Sequence, residues 1–173
     1  YDAGLDAFLK RADAGVNEAY ESLAIADIQE AADLLRPTYD RLDARDGYVS
    51  IEVSPYIAHD TQATIAEARR LWKAIDRPNL MVKVPGTDAG VPAVRQLVED
   101  GLNINITLLF SNAAYRAVAE AYLAGLEARI AKGLPIDRVA SVASFFVSRI
   151  DSKIDAKIEK IGTPEAKALA GKV

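Results

Sequence analysis

The 173-residue chain has no cysteine and a single histidine, His59. The first absence excludes a disulfide framework, a thiolate metal site and a cysteine nucleophile. The second leaves neither a histidine-based triad nor a multi-histidine metal site to build, and His59 is expected to decorate the loop before a helix. No apolar run approaches the ~20 residues of a membrane span, and nothing resembles a signal peptide. Charge of neither sign is blocked: 21 Lys and Arg face 25 Asp and Glu, for a net charge of −4. Nucleic acid and anionic membrane are therefore not expected partners. A small phosphorylated ligand needs only one local positive site and stays compatible. A phosphate-cradling glycine loop is missing too, since GTDAG and AGVP lack both the spacing and the lysine.

What is present is an ordinary globular balance, with 50% hydrophobic and 27% charged residues. The length suits one domain, 1–173, with a sizeable core. No linker or low-complexity tract divides it, and a soluble cytoplasmic protein is expected. The chain opens at Tyr1 without methionine and stops at ALAGKV inside a helical pattern, so a fragment is expected.

Strand and helix signals alternate. YVSIEV (48–53), LMVKV (80–84), NINITLLF (103–110) and VASVASF (139–145) read as strands. Between them lie helices: one after a cap at Asp60 or Thr61, carrying Ile65, Ala68, Trp72 and Ile75; one near Pro92, closed by Gly101; and one capped by Ser111, stopped by Gly133. Ile150, Ile154, Ile158 and Ile161 form a last stripe ended by Gly162. Residues 1–43 read as helix broken near Pro37. Each strand–helix unit takes roughly thirty residues, the size of a right-handed βαβ unit.

Strands buried on both faces of an open parallel sheet read as continuous Val/Ile/Leu. These do not. Tyr48, Ser50 and Glu52 alternate with Val49, Ile51 and Val53. Met81 and Lys83 alternate with Leu80, Val82 and Val84. Asn103, Asn105 and Thr107 alternate with Ile104, Ile106 and Leu108. One polar face and one apolar face suit a (β/α)8 barrel, whose outer face packs helices and whose inner face holds a site near the C-terminal strand ends. Four strands cannot close it, so about four central β/α units after an N-terminal helical segment are expected, the outer strands lying elsewhere.

Lys83, in PNLMVKVPGT, is the anomaly: an unpaired ammonium inside an apolar strand costs several kcal/mol. It could be an edge-strand lysine whose tip reaches water. On a central strand it is instead a candidate nucleophile, because packed neighbours favour the neutral amine, which attacks a carbonyl and forms an imine. Glu52, on the corresponding face of the preceding strand, is a candidate acid/base or simply a charge partner. Asn105 and Thr107 can hold a substrate hydroxyl and a water, or form a satisfied polar ladder. Ser144 and Arg149, in ASFFVSRID, make a candidate phosphate grip at a helix start. The alternative is Arg149 paired with Asp151 or Asp155 on the surface.

VSIEVSPYIAHDT, NLMVKVPGTDAG, LNINITLLFS and ASVASFFVSRID, in this order, resemble the transaldolases. The likeness implies a barrel and cofactor-independent transfer of a dihydroxyacetone unit. The donor would be fructose 6-phosphate or sedoheptulose 7-phosphate and the acceptor an aldose phosphate, in the pentose phosphate pathway. It implies that Lys83 is the Schiff-base lysine and that Glu52 works with a water in proton transfer. It further implies that Asn105 and Thr107 hold hydroxyls and that water, and that Ser144 and Arg149 serve the substrate and its phosphate. A metal is not implied. The family's aspartate on the first strand and its TSNP-type second strand do not occur here, so the piece alone is expected to be inactive. A fructose-6-phosphate-type aldolase and a non-catalytic sugar-phosphate-binding module remain alternatives. A homo-oligomer, or fusion to a second enzyme such as phosphoglucose isomerase, stays open.

Overall fold

The computed structural model describes Tyr1, Asp2, Phe8 and residues 15–172; the helical reading over 3–7 and 9–14 lies outside the described residues. Helix α1 spans Val16–Arg41. After it strands and helices alternate: β1 (Val49–Glu52), a 3-10 turn (Pro55–Ile57), α2 (Thr61–Ile75), β2 (Leu80–Pro85), α3 (Gly90–Asp100), β3 (Ile104–Leu109), α4 (Asn112–Ala131), β4 (Ser141–Phe145), α5 (Val147–Ile161) and α6 (Pro164–Lys167). The strands pair in parallel in the order β1-β2-β3-β4. When sheet order follows chain order, right-handed crossovers put every connecting helix on the same side. The opposite face is left for a barrel interior, as the alternation predicts. An open doubly wound sheet would need a reversal of strand order, and none occurs among the described strands.

The helix side forms the core. Val82 and Val84 of β2, Ile104 and Ile106 of β3, Leu71 and Ile75 of α2, and Leu97 of α3 are all buried in one cluster. Each such side chain contributes about 1.5–3 kcal/mol by leaving water. Local signals start and stop the helices as expected. The Asp60 carboxylate accepts from Ala63 N, Ser111 Oγ accepts from Ala114 N, and Gly101 ends α3 with φ +95°.

Two expectations need correcting. Helix α1 runs unbroken through Pro37. Pro37 is exposed in the last turns, so the carbonyl it cannot pair faces water and the break is avoided. In β3 the alternation fails after Thr107. Leu108 is 41% exposed, while Leu109 is fully buried. Leu108 adopts φ +61°, and the β3–β4 register shifts between Ile106 and Leu109. This bulge turns Leu108 out and gives its core position to Leu109. In α5 the isoleucine stripe is present as expected and Gly162 ends it with φ +69°; Ile158 is buried and Ile161 is 62% exposed.

Helix α1 is fastened to the sheet by polar clasps. The Asn79 amide donates to Ala32 O at 2.8 Å and Gly47 O at 2.9 Å. Arg70 and Arg77 of the α2 segment hold Glu21 and Asp33 of α1. Hydrogen bonds from those guanidiniums keep both carboxyls below their usual range. Tyr48, ahead of β1, has its phenol pushed up to about 12, chiefly by burial.

Candidate active site

Lys83 sits on β2, which has a strand on either side. The edge-strand reading therefore fails. In the parallel register Glu52 stands beside Lys83, and Lys83 beside Asn105. Laterally paired residues point to the same face, so three strands deliver a row of carboxylate, amine and amide. Lys83 Nζ lies 3.2 Å from Glu52 Oε2, with the two side chains 27% and 45% exposed. The amine is thus half-sheltered and paired. Beneath it, Met81 is buried on the same face and forms an apolar floor.

The strand ends are held from behind. Ser54 N donates to Glu67 Oε1 at 3.0 Å, just after Glu52. Beyond Lys83, Thr87 Oγ1 donates to Ala58 O at 2.6 Å and accepts from Gly90 N at 3.0 Å. Thr61 Oγ1 completes the tie by donating to Ala89 O at 2.8 Å. Gly90 permits this turn, because a Cβ there would fall 1.9 Å from Pro85 O. Lys83 is consequently mounted on a strand whose exit loop is pinned at several points.

Asn105 is gripped on both ends of its amide. Its Nδ2 donates to Ser50 Oγ at 3.1 Å, and its Oδ1 accepts from Ser144 Oγ at 2.8 Å. The chain Ser50–Asn105–Ser144 links β1, β3 and β4 across the polar face. Thr107 is fully buried, and its Oγ1 has no protein hydrogen-bond partner among the described residues. Buried hydroxyls are ordinarily satisfied, by protein or by water. Asn103 belongs to the opposite end of the strand and is satisfied there, by Pro78 O, Leu80 O and Ala140 N.

Of the predicted residues, Lys83, Glu52, Asn105 and Ser144 are brought together; Thr107 lies on the same strand as Asn105, one alternation further on. Arg149 is separate. It lies exposed in the first turn of α5 with its guanidinium carbon 4.2 Å from the centre of the Phe146 ring. Among the described residues it forms no ion pair, so the surface pairing with Asp151 or Asp155 is not made. Sequence reasoning did not single out Ser50 or the aromatic pair Phe110 and Phe146. Ser50 shares the period-two face of Glu52, which was the available signal. The rings are far apart in sequence and carried none.

The chain matches the transaldolase/fructose-6-phosphate aldolase family over residues 1–172. It is 57% identical over 152 residues to transaldolase 2 of Nostoc punctiforme, covering 88% of this chain and 40% of that protein. It is 52% identical over 157 residues to transaldolase 2 of Streptomyces avermitilis, covering 91% of this chain and 42% of the relative. The transaldolase of Thiobacillus denitrificans is 51% identical over 164 residues, which cover 95% of this chain and 46% of that protein. The chain thus spans less than half the length of these curated relatives. Parallel strands in chain order, helices on one face, a row of polar residues on the other and a match along nearly the whole sequence agree: the chain belongs to the transaldolase/fructose-6-phosphate aldolase family.

Proposed function

We propose that these residues form the central part of a transaldolase barrel, moving a dihydroxyacetone unit from a ketose phosphate to an aldose phosphate through an imine on Lys83. The donor is fructose 6-phosphate or sedoheptulose 7-phosphate, in the cytoplasmic pentose phosphate pathway, with no cofactor needed. Residues 1–173 act as one domain's share of that barrel. The observation that carries the reading is the row Glu52–Lys83–Asn105, with the amine 3.2 Å from the carboxylate.

The chemistry follows from that row. Once the Lys83 ammonium has passed a proton to Glu52 through a water, the free amine adds to the ketose carbonyl to give a carbinolamine, and loss of water gives the iminium. The adjacent C–C bond then breaks. Its electron pair enters the iminium to leave an enamine of dihydroxyacetone, and the departing carbon becomes an aldehyde as its hydroxyl loses a proton. Glu52, through a water, moves the protons of these steps. Asn105 presents its amide to substrate hydroxyls, and Thr107 holds the water through its buried hydroxyl. Ser144 and Arg149 serve the substrate's far end. The enamine attacks the acceptor aldehyde, and hydrolysis of the new iminium frees Lys83.

Incubation of the full-length protein with fructose 6-phosphate followed by borohydride should leave a secondary-amine adduct on Lys83, found by peptide mass. Binding of the sugar with no adduct would replace this reading with a non-catalytic sugar-phosphate module. The family description also names fructose-6-phosphate aldolase, which makes simple cleavage the second reading. Product formation with the acceptor aldose left out would favour it. The 173-residue piece alone is expected to show no appreciable turnover beside the full-length chain.

A further inference from the structure

Arg149 is held by an aromatic ring rather than by an acid. Asp151 and Asp155 lie on its own helix, yet its guanidinium stands over Phe146 at 4.2 Å. That ring stacks in turn on Phe110, with centroids 5.2 Å apart and planes inclined by 26°. Phe110 directly follows β3 and Phe146 directly follows β4, and Phe146 N donates to Leu109 O at 3.0 Å. The two rings therefore bridge the C-terminal ends of neighbouring strands, on from Asn105 and Ser144.

The contact has a consequence for what the arginine can do. A guanidinium lying over a ring face is attracted to it without losing its charge. Its N–H donors lie in the guanidinium plane, and that edge is what grips a phosphate with two parallel hydrogen bonds. An ion pair with Asp151 would occupy the same donors. Contact with the ring restricts the side chain's freedom, and no ion pair among the described residues occupies the fork.

We infer that Phe146, backed by Phe110, is a positioning residue that pre-orients Arg149 for the phosphate of the substrate. The inference rests on the reading of the site given above. It adds that the ring sets affinity for the phosphate and leaves the imine chemistry at Lys83 untouched.

The test uses full-length protein carrying these residues, as wild type, Phe146→Leu, Arg149→Ala and the double variant. Three quantities are read: the calorimetric affinity for inorganic phosphate, the KM and kcat for fructose 6-phosphate, and borohydride trapping of dihydroxyacetone, which has no phosphate. Phe146→Leu should weaken phosphate binding and raise KM about two- to fivefold, the worth of an exposed cation–π contact. Its kcat and its dihydroxyacetone adduct on Lys83 should match wild type. In the Arg149→Ala background the same change should alter nothing further, and Phe146→Trp, which keeps a ring face, should restore binding. Loss of the adduct together with phosphate binding, or an equal weakening without Arg149, overturns the inference. Should Phe146→Leu not fold, Phe110→Leu takes its place, and an unchanged phosphate affinity there overturns it equally. A wild-type protein that binds phosphate but forms no adduct sinks the transaldolase reading and leaves the ring's role standing.

Discussion

Replacing Glu52 with glutamine keeps the size of the side chain and removes its charge, which separates two roles that the geometry alone leaves together. At the observed 3.2 Å, two unit charges attract by about 1.3 kcal/mol in water. Water reaches both heads, since the side chains are 27% and 45% exposed. Holding two long side chains in one geometry costs entropy, so such pairs are worth about 0.2–1 kcal/mol net. Glu52→Gln should therefore lower stability by less than about 1 kcal/mol. As a proton carrier the same group contributes about 10²–10⁴-fold in rate, or about 3–6 kcal/mol of barrier at about 1.4 kcal/mol per decade. Urea unfolding gives the first quantity, and transfer kcat with the rate of borohydride-trapped adduct gives the second. A variant destabilised by more than about 2 kcal/mol that keeps its kcat would refute the argument and make Glu52 a structural clamp on Lys83.

Thr107→Val removes a buried hydroxyl with no protein partner among the described residues, the one proposed to hold a water, so kcat should fall while unfolding midpoints move by the equivalent of about 1 kcal/mol or less; an unchanged kcat would mean that no catalytic water is held there. Asn79→Ala deletes the donations to Ala32 O and Gly47 O that tie α1 to the sheet. It should cost about 1–3 kcal/mol in guanidinium unfolding, and a cost near zero would remove this clasp from the account of how α1 is held. The carboxyls of Glu21 and Asp33 titrate below their ordinary values in the folded chain because of Arg70 and Arg77. Their contribution is then complete above the unfolded carboxyl range of about 4 and lost as pH falls through the lower folded values. Melting temperatures followed from neutral pH down to about pH 3 should decline more gently in an Arg70→Met, Arg77→Met variant than in wild type. Parallel declines would show that other carboxyls govern acid stability.

The row of Glu52, Lys83 and Asn105 was legible before any coordinates, for a local reason. Each residue sits in a short run whose alternate positions are apolar, and a strand must send alternate side chains to opposite faces. The helix caps at Asp60 and Ser111 and the stop at Gly101 were legible in the same way, since each bonds or bends the backbone within a turn. Pro37 misled because its effect depends on exposure, and exposure is set by what packs against α1. Leu108 misled for a related reason. Nothing in NINITLLF marks the residue that takes φ +61°, because the register shift arises where β3 meets β4.

By itself, then, the amino-acid order determined the alternation of strand and helix, the division of the first two strands and the start of the third into a polar and an apolar face, and the lysine's place among apolar neighbours. These follow from backbone periods of two and 3.6 residues, which act over a few positions. Only the tertiary structure decided that Lys83 lies 3.2 Å from a carboxylate, that Asn105 is gripped by Ser50 and Ser144, and that Arg149 rests on Phe146. The first two join residues on different strands, and the third, though local to one helix start, depends on Phe146 being set against Phe110 of the neighbouring strand end. Their distances come from strand pairing, from a bulge and from rings meeting at the strand ends, none of which a single segment can encode.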